Sequence, residues 1–250
     1  MRRIAIIVFL FIASNAFAQH LRIFACAIAN DSGMFLGGSS NGSGLYQSDD
    51  TGKTWKHLGW DNIKCYSMDE VQSSNGRILY EATGLGVLRS TDYGEHWKQI
   101  TDWRISEAMD IAVNQKTPEE IYIATAHGPW RTEDGGKSWQ PLLDGLPVPY
   151  CSKVVIDSVI PDHILLATEK GSFTLTPAMS WKRVPSVQRN YHNQIEKEIT
   201  AATRSIIQIS KNEWRAVTAQ SRQLVSVDSA RSFGTSSLGL DESLYCVGEV

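Results

Sequence analysis

Short apolar stretches alternate with polar turns along most of this chain, and the alternation recurs in a fixed order. In one unit, apolar residues dominate Ala108–Val113 and Glu120–Thr125, and a polar turn at Asn114–Glu119 separates them. The preceding unit has the same order in Ser67–Val71 and Ile78–Thr83. Runs of about six β-branched and aromatic residues between Gly and Asn turns are typical of β-strands. The pattern therefore predicts an all-β protein of short antiparallel strands.

A polar motif follows the third predicted strand of each unit. It reads Ser/Thr-x-Asp-x-Gly-x-x-Trp, and each copy is named a box turn below. Three intact copies recur every 42 residues, at Ser48–Trp55, Ser90–Trp97 and Thr132–Trp139. Two altered copies follow, Thr174–Trp181 after another 42 residues and Ser226–Phe233 after 52. A period of this length indicates tandem copies of one supersecondary unit, and four strands per unit is the usual propeller arrangement.

The motif resembles the Asp-box, or bacterial neuraminidase (BNR), repeat. That repeat occurs in sialidases, xyloglucanase-like enzymes, photosystem assembly factors and sortilin-type propellers, so the resemblance implies a β-propeller of four-stranded antiparallel blades. We count about five repeats, near residues 22–62, 63–104, 105–150, 151–190 and 204–242, plus one extra strand at Ser243–Val250. Two interpretations of the extra strand stay open. It covers an edge of a five-bladed ring, or the chain is a truncated piece of a larger propeller.

The residues of the box turns have a structural interpretation that requires no ligand. Aspartate accepts hydrogen bonds from amides in its own turn, and glycine adopts backbone conformations that a side chain would crowd. The resemblance implies that these turns join the third and fourth strands, away from the usual binding face, with each tryptophan packed between sheets. The residues expected to have this structural role are Ser48, Asp50, Gly52, Trp55, Ser90, Asp92, Gly94, Trp97, Thr132, Asp134, Gly136, Trp139, Trp181 and Asp228.

The loops at the opposite end of each sheet form the predicted binding face. Flat aromatic rings beside polar groups suit sugar or peptide recognition, although indoles that merely cover strand ends are the alternative. The one long departure from the period, residues 182–204, is expected to lie near this face. Within it, the spacing of Ile195 and Ile199 predicts a short helix over Asn193–Ala202. The predicted ligand-binding residues are Trp60, Trp103, Arg104, His127, Arg189, Tyr191 and His192.

The resemblance to glycoside hydrolases makes two carboxylates candidates for catalysis. Asp69 and Asp110 occupy equivalent positions in predicted innermost strands, and glycoside hydrolysis needs two carboxyl groups about 5 to 10 Å apart. They are catalytic only if the protein is a hydrolase, and no other residue is predicted to be. The six histidines show no paired metal-ligand spacing, and no nucleotide-binding loop is present, so neither a metal nor a cofactor is predicted.

The first residues predict an export signal. Arg2 and Arg3 precede an apolar run over Ile4–Ala13, and Ala16-Phe17-Ala18 is typical of a cleavage site. Residues 1–18 are therefore assigned to a signal peptide, residues 19–250 to one propeller domain, and the mature chain to the periplasm or the extracellular space. The apolar run is shorter than the roughly 20 residues of a membrane span, so no integral membrane segment is expected after cleavage.

Charge and cysteine content restrict the partners and the chemistry. Without residues 1–18, the chain has 22 basic and 27 acidic side chains, a net charge of 22 − 27 = −5, which argues against a nucleic-acid partner. Cys26, Cys65, Cys151 and Cys246 allow three pairings into two disulfides, and three of the four fall in predicted innermost strands. Buried thiols and one disulfide are both consistent with an exported chain.

These observations favour a non-catalytic binding or scaffolding module that contacts a protein or a glycan through the face opposite its box turns, and a purely structural module in a cell-surface assembly stays open. The alternative is a sialidase-like or xyloglucanase-like glycoside hydrolase, or a degenerate relative of one. A hydrolase would show paired carboxylates with a raised pKa in a cleft, whereas a binding module would show an aromatic or apolar patch without them.

Overall fold

A computed structural model describes residues 7–9, 22–28, 42–189, 195–198, 202–218 and 223–235. Every regular element in these ranges is a β-strand, which confirms the all-β prediction. Among the described residues there is no helix of the length and apolarity that crossing a membrane requires. The chain divides into two compact units, Met1–Ala108 and Met109–Glu249, which we call unit 1 and unit 2.

Unit 1 contains two four-stranded antiparallel sheets in which strand order follows chain order. The first sheet comprises β1 (Ile7–Phe9), β2 (Ile23–Ala27), β3 (Gly44–Ser48) and β4 (Lys56–Leu58). The second sheet comprises β5 (Cys65–Ser73), β6 (Gly76–Thr83), β7 (Gly86–Ser90) and β8 (Lys98–Gln99). β1 belongs to the stretch that predicts an export signal, and it pairs with β2 from Ile7 opposite Cys26 to Phe9 opposite Phe24.

Unit 2 begins with two sheets of the same kind and ends with a larger one. The third sheet comprises β9 (Ala108–Val113), β10 (Ile121–Thr125), β11 (Trp130–Thr132) and β12 (Gln140–Pro141). The fourth comprises β13 (Cys151–Ile156), β14 (Ile164–Thr168), β15 (Gly171–Leu175) and β16 (Trp181–Arg183). The fifth comprises β17 (Ser186–Arg189), β18 (Ile195–Glu198), β19 (Thr203–Gln208), β20 (Trp214–Thr218), β21 (Gln223–Ser226) and β22 (Phe233–Thr235).

The fifth sheet departs from the four-stranded pattern. Its order is β18-β17-β22-β21-β20-β19, and β17 pairs with β22 in parallel. The helix predicted over Asn193–Ala202 is therefore wrong, because Ile195–Glu198 forms a strand that pairs antiparallel with β17. An isolated helix of about ten residues is marginal in water, whereas a hairpin on a sheet edge gains inter-strand hydrogen bonds. The predicted extra strand at Ser243–Val250 lies outside the described residues.

Apolar clusters lie between successive sheets within each unit. In unit 1, one buried cluster combines residues of the first and second sheets, and Trp97 packs against it. In unit 2, Trp181 is 3% exposed in a cluster shared by the third and fourth sheets. Trp214 and Phe233, both fully buried, lie in a cluster of the fourth and fifth sheets. Trp97 and Trp181 thus lie against apolar clusters that two neighbouring sheets share.

Candidate functional site

Each intact box turn is held by hydrogen bonds among its own residues. In the first, the Ser48 hydroxyl donates to Asp50 Oδ1 at 2.8 Å and accepts from the Gly52 amide at 2.8 Å. The Asp50 carboxylate also accepts from the Thr54 amide at 2.8 Å, and Trp55 Nε1 donates to the Gly52 carbonyl at 3.1 Å. The equivalent atoms of the second and third box turns make matching bonds between hydroxyl, carboxylate and glycine amide.

These bonds keep the box-turn carboxylates ionised. The Thr54 amide and hydroxyl lower the pKa of Asp50 to about 2, and the amide and ring of His96 lower that of Asp92 to about 2. The hydroxyl and amide of Ser138 lower the pKa of Asp134 further. In the fifth box turn, burial opposes the effect, yet hydrogen bonds from Ser226 and Ser232 still lower the pKa of Asp228. Carboxylates engaged in this way act as caps of the turn.

Of the two altered box turns, the fifth keeps the geometry with a different residue at the glycine position, whereas the fourth is closed by other hydrogen bonds. In the fifth, Ala230 stands at the glycine position with φ 59°, close to the left-handed conformation of Gly52 at φ 86°. Its amide donates to Ser226 Oγ at 3.0 Å, as the glycine amides do elsewhere. In the fourth there is no aspartate; the Thr176 hydroxyl donates to the Ser180 carbonyl at 2.8 Å instead. The box turns are therefore structural elements whose polar groups are satisfied locally.

Three loops at the other end of unit 1 are joined by backbone hydrogen bonds. They are residues 59–64, which connect β4 to β5, residues 84–85 between β6 and β7, and residues 100–107 after β8. The Gly84 amide donates to the Lys64 carbonyl at 3.2 Å, and the Glu107 amide donates to the Gly84 carbonyl at 3.1 Å. We call these three loops the loop end of unit 1. The antiparallel order places it opposite the box turns of the same sheets.

The loop end carries large apolar side chains that water can reach. Trp103 is 89% exposed, Leu85 is 57% exposed and Trp60 is 39% exposed. Next to Trp103, the Arg104 guanidinium forms an ion pair with Asp102, with Nη2 and Oδ2 2.7 Å apart. The Arg104 side chain lowers the pKa of Asp102, so the pair is charged at neutral pH. The loop end thus presents an apolar surface with an oriented cation beside it.

The other predicted ligand-binding residues lie elsewhere. His127 is an exposed residue of unit 2, where its amide donates to Thr125 Oγ1 at 3.0 Å. Arg189 ends β17 of the fifth sheet. Tyr191 and His192 lie outside the described residues. Of the seven predicted residues, the loop end holds Trp60, Trp103 and Arg104.

The two predicted catalytic carboxylates each have protein partners. Asp110 is 1% exposed and accepts from Lys153 Nζ at 3.1 Å and from the Val154 amide at 2.9 Å. Asp69 is half-buried in β5 and accepts from the Glu70 amide at 2.8 Å. Asp110 therefore has the environment of a structural ion pair within unit 2.

One unusual carboxyl group was not among the residues predicted from the sequence. Glu81, in the middle of β6, is fully buried, and neither of its oxygens has a hydrogen-bond partner of normal geometry among the described residues. Burial raises its pKa to about 8, although the neighbouring Cys65 thiol opposes this shift. No sequence signal distinguishes Glu81, because polar residues are common within strands. The described residues contain no group of three or more His, Cys, Asp or Glu side chains suited to a metal ion.

Comparison with known proteins identifies the fold. No protein-family model matches the sequence, and no curated protein matches it. Among solved structures, the GH74 enzyme of Niastella koreensis is 13% identical, with a TM-score of 0.61 over 86% of this chain and 36% of that one. An ancestral GH74 enzyme is 15% identical, with a TM-score of 0.56 over 89% of this chain and 30% of the enzyme.

A third similar structure is not described as an enzyme. It is the extracellular domain of a B. thetaiotaomicron protein described as a hybrid two-component system, 12% identical, with a TM-score of 0.62 over 92% of this chain and 28% of that one. This chain therefore spans between 28% and 36% of the length of these three proteins. At these identities the similarity is one of fold, and the chain has a β-propeller-like fold.

Proposed function

We propose that this chain is an exported binding module of the Asp-box β-propeller class, which recognises a polysaccharide or protein ligand without catalysing a reaction. The observation that carries the proposal is the loop end of unit 1, where Trp103 is 89% exposed near loops that also expose Trp60 and Leu85. Large aromatic side chains this exposed are unusual on a soluble surface and typically mark sites of contact with a ligand or partner.

The architecture of the loop end supports recognition. The hydrogen bonds of Gly84 to Lys64 and Glu107 tie the three loops together, so their side chains are presented on a connected backbone. A connected backbone reduces the conformational entropy that is lost when a ligand binds. Trp and Arg are also the residue types that most often dominate binding energy at interfaces. Trp103 and Arg104 are therefore the expected anchors.

The carboxyl groups favour binding over hydrolysis. A glycosidase needs two carboxyls that flank a sugar bond, one of them protonated at working pH. Glu81 has the raised pKa, but it is fully buried and cannot reach a substrate. Asp110 is 1% exposed and paired with Lys153. Neither group has the exposure that attack on a polysaccharide requires.

Export and the Asp-box assignment have separate support. The arginines, apolar run and small residues of positions 1–18 are those of an export signal. The first, second, third and fifth box turns share one hydrogen-bond pattern, which in the fifth involves Ser226, Asp228 and Ser232. A shared local geometry at a 42-residue period is what the Asp-box resemblance implies for the intact copies.

The test compares two exposed aromatic residues at opposite ends of unit 1. Binding to an array of glycans, to insoluble polysaccharides and to surface-protein extracts is measured for the wild type, for Trp103→Ala and for Tyr93→Ala. Tyr93 is 58% exposed in the second box turn and is the matched control. Loss of at least about tenfold in affinity is expected for Trp103→Ala alone, in line with the loss of an interface anchor.

Three results would contradict the proposal. Equal binding by the wild type and Trp103→Ala would remove the loop end as the binding surface. A loss caused by Tyr93→Ala would place the surface at the box turns. Release of reducing sugar by the wild type, abolished by Asp69→Asn/Asp110→Asn, would make the protein a hydrolase.

A further inference from the structure

Two thiols of unit 1 lie in the same buried cluster between its sheets. Cys26 belongs to β2 and is 6% exposed, and Cys65 begins β5 and is 1% exposed. β2 and β5 contact each other although they belong to different sheets. Both cysteines pack in the cluster that contains Leu58 and Met68. The third described cysteine, Cys151, lies in a cluster of unit 2.

We propose that Cys26 and Cys65 form a disulfide that links the second strand of the first sheet to the first strand of the second sheet. The S–S bond forms between the two Sγ atoms, which together give up two protons and two electrons. The oxidant is a small-molecule or protein disulfide, such as oxidised glutathione, whose own S–S bond is reduced to two thiols. The cross-link joins two sheets that are otherwise held together in this region by apolar packing.

The surroundings of the pair determine when the bond forms. Burial raises the pKa of the Cys65 thiol well above its usual value, and the adjacent Cys26 thiol and Glu81 carboxyl raise it further. Because the thiolate is the reactive form, the reduced and folded protein reacts slowly with a disulfide oxidant. The bond therefore forms while the chain folds, before the cluster closes. Once formed, the disulfide has no proton to lose and suits the apolar cluster.

The cross-link raises thermal stability. It closes a loop of 39 peptide bonds between Cys26 and Cys65, which restricts the unfolded chain. A loop of this size is expected to raise the melting temperature by roughly 5 to 15 °C in a domain of this length. The rise disappears on reduction, and it is absent in any variant that lacks one of the two cysteines.

The experiment refolds the wild-type chain from denaturant in a mixture of oxidised and reduced glutathione, blocks remaining thiols and digests it with trypsin without reduction. Cleavage after Arg22, Lys53, Lys64 and Arg77 places the two cysteines in peptides 23–53 and 65–77. A disulfide-linked product of these two peptides is expected after refolding. Much less of this product is expected when the same oxidant is added to protein that is already folded and reduced. This readout needs no substitution, so it does not depend on a variant that folds.

Cysteine-to-alanine variants then show which cysteines cause the rise in melting temperature. Cys151→Ala is the matched control and should keep both the linked peptides and the rise in melting temperature. Cys26→Ala should lose both. The proposal is overturned if Cys26 and Cys65 are both found blocked as free thiols after refolding. It is equally overturned if either is linked to Cys151 or Cys246 instead.

Discussion

Two buried carboxyl groups, one in each unit, are stabilised in opposite ways. Asp110 in β9 is 1% exposed, and it accepts hydrogen bonds from Lys153 Nζ and the Val154 amide. Glu81 in β6 is 0% exposed, and no hydrogen-bond partner of normal geometry satisfies its oxygens among the described residues. Burying an ionised carboxylate costs several kcal/mol unless a counter-charge or hydrogen bonds replace its water.

The two carboxyl groups differ in what compensates for the loss of water on burial. At Asp110, a lysine and a backbone amide of the neighbouring sheet replace water, and their contacts link β9 to β13. Glu81 instead retains its proton, since burial raises its pKa to about 8. The carboxyl group of Asp110 thus contributes to sheet packing through its partners, whereas that of Glu81 is tolerated only as a neutral group.

The largest expected effect is a pH-dependent gain in stability from Glu81→Gln. The folded pKa of Glu81, about 8, exceeds the usual 4.5, so the folded state holds a proton that the unfolded chain releases between these values. Stability is therefore highest below about pH 4.5 and falls as pH rises to 8. At about 1.4 kcal/mol per unit of pKa, the whole fall amounts to about 5 kcal/mol, of which about 4 kcal/mol lies between pH 5 and pH 9.

Urea unfolding of the wild type and of Glu81→Gln, at pH 5 and at pH 9, measures this pH-dependent part of the free energy of unfolding. Glu81→Gln lacks the titrating group. Its free energy of unfolding, relative to that of the wild type, should therefore rise by about 4 kcal/mol from pH 5 to pH 9. Other titrating groups are shared by both proteins and cancel in the difference. A difference that stays constant with pH would mean that Glu81 is hydrated or paired in solution.

The next effect has the opposite sign and concerns Asp110. Asp110→Ala removes the buried counter-charge of Lys153 and the acceptor of the Val154 amide, and we expect it to cost about 3 kcal/mol at pH 7. Asp69→Ala is the control, because Asp69 is half-buried in the corresponding strand of the second sheet. Chemical denaturation at pH 7 should show the larger loss for Asp110→Ala. Equal losses for the two variants would contradict the role assigned to the ion pair.

Much of the fold could be predicted because its determinants are local. The predicted strand over Ala108–Val113 has the bounds of β9, and Ser67–Val71 lies within β5. Alternating apolar runs and the box-turn motif specify strands and turns from residues that are close in sequence. β18 was mispredicted because the spacing of Ile195 and Ile199 fits a helix, whereas its pairing with β17 depends on a sheet edge formed by β22.

The sequence predicted part of the candidate site. Trp60 and Trp103 were predicted from their repeat positions, and the structure places both at the loop end of unit 1. Asp110 was a candidate catalyst because no pattern shows that Lys153, 43 residues away, lies within 3.1 Å of it. Glu81 was missed for a similar reason, since the absence of a partner depends on how distant segments pack. Side-chain environments of this kind are set by tertiary structure and leave little trace in a single sequence.

The smallest of the three effects tests how tightly Glu81 is enclosed. Gly59 has φ 78°, and a Cβ atom there would lie 2.6 Å from Glu81 Oε2. Gly59→Ala therefore combines a left-handed backbone penalty with displacement of a buried carboxyl, and we expect a loss of about 2 kcal/mol.

Gly135→Ala is the control, because Gly135 has φ 71° and no atom within 4 Å of the added Cβ, so only the backbone penalty of about 1 kcal/mol applies. The excess loss at Gly59 should vanish when Glu81 is also replaced by Ala, since the contact is then gone. If the excess persists in the Glu81→Ala background, the enclosure comes from other atoms, and the carboxyl is less tightly held than Asp110.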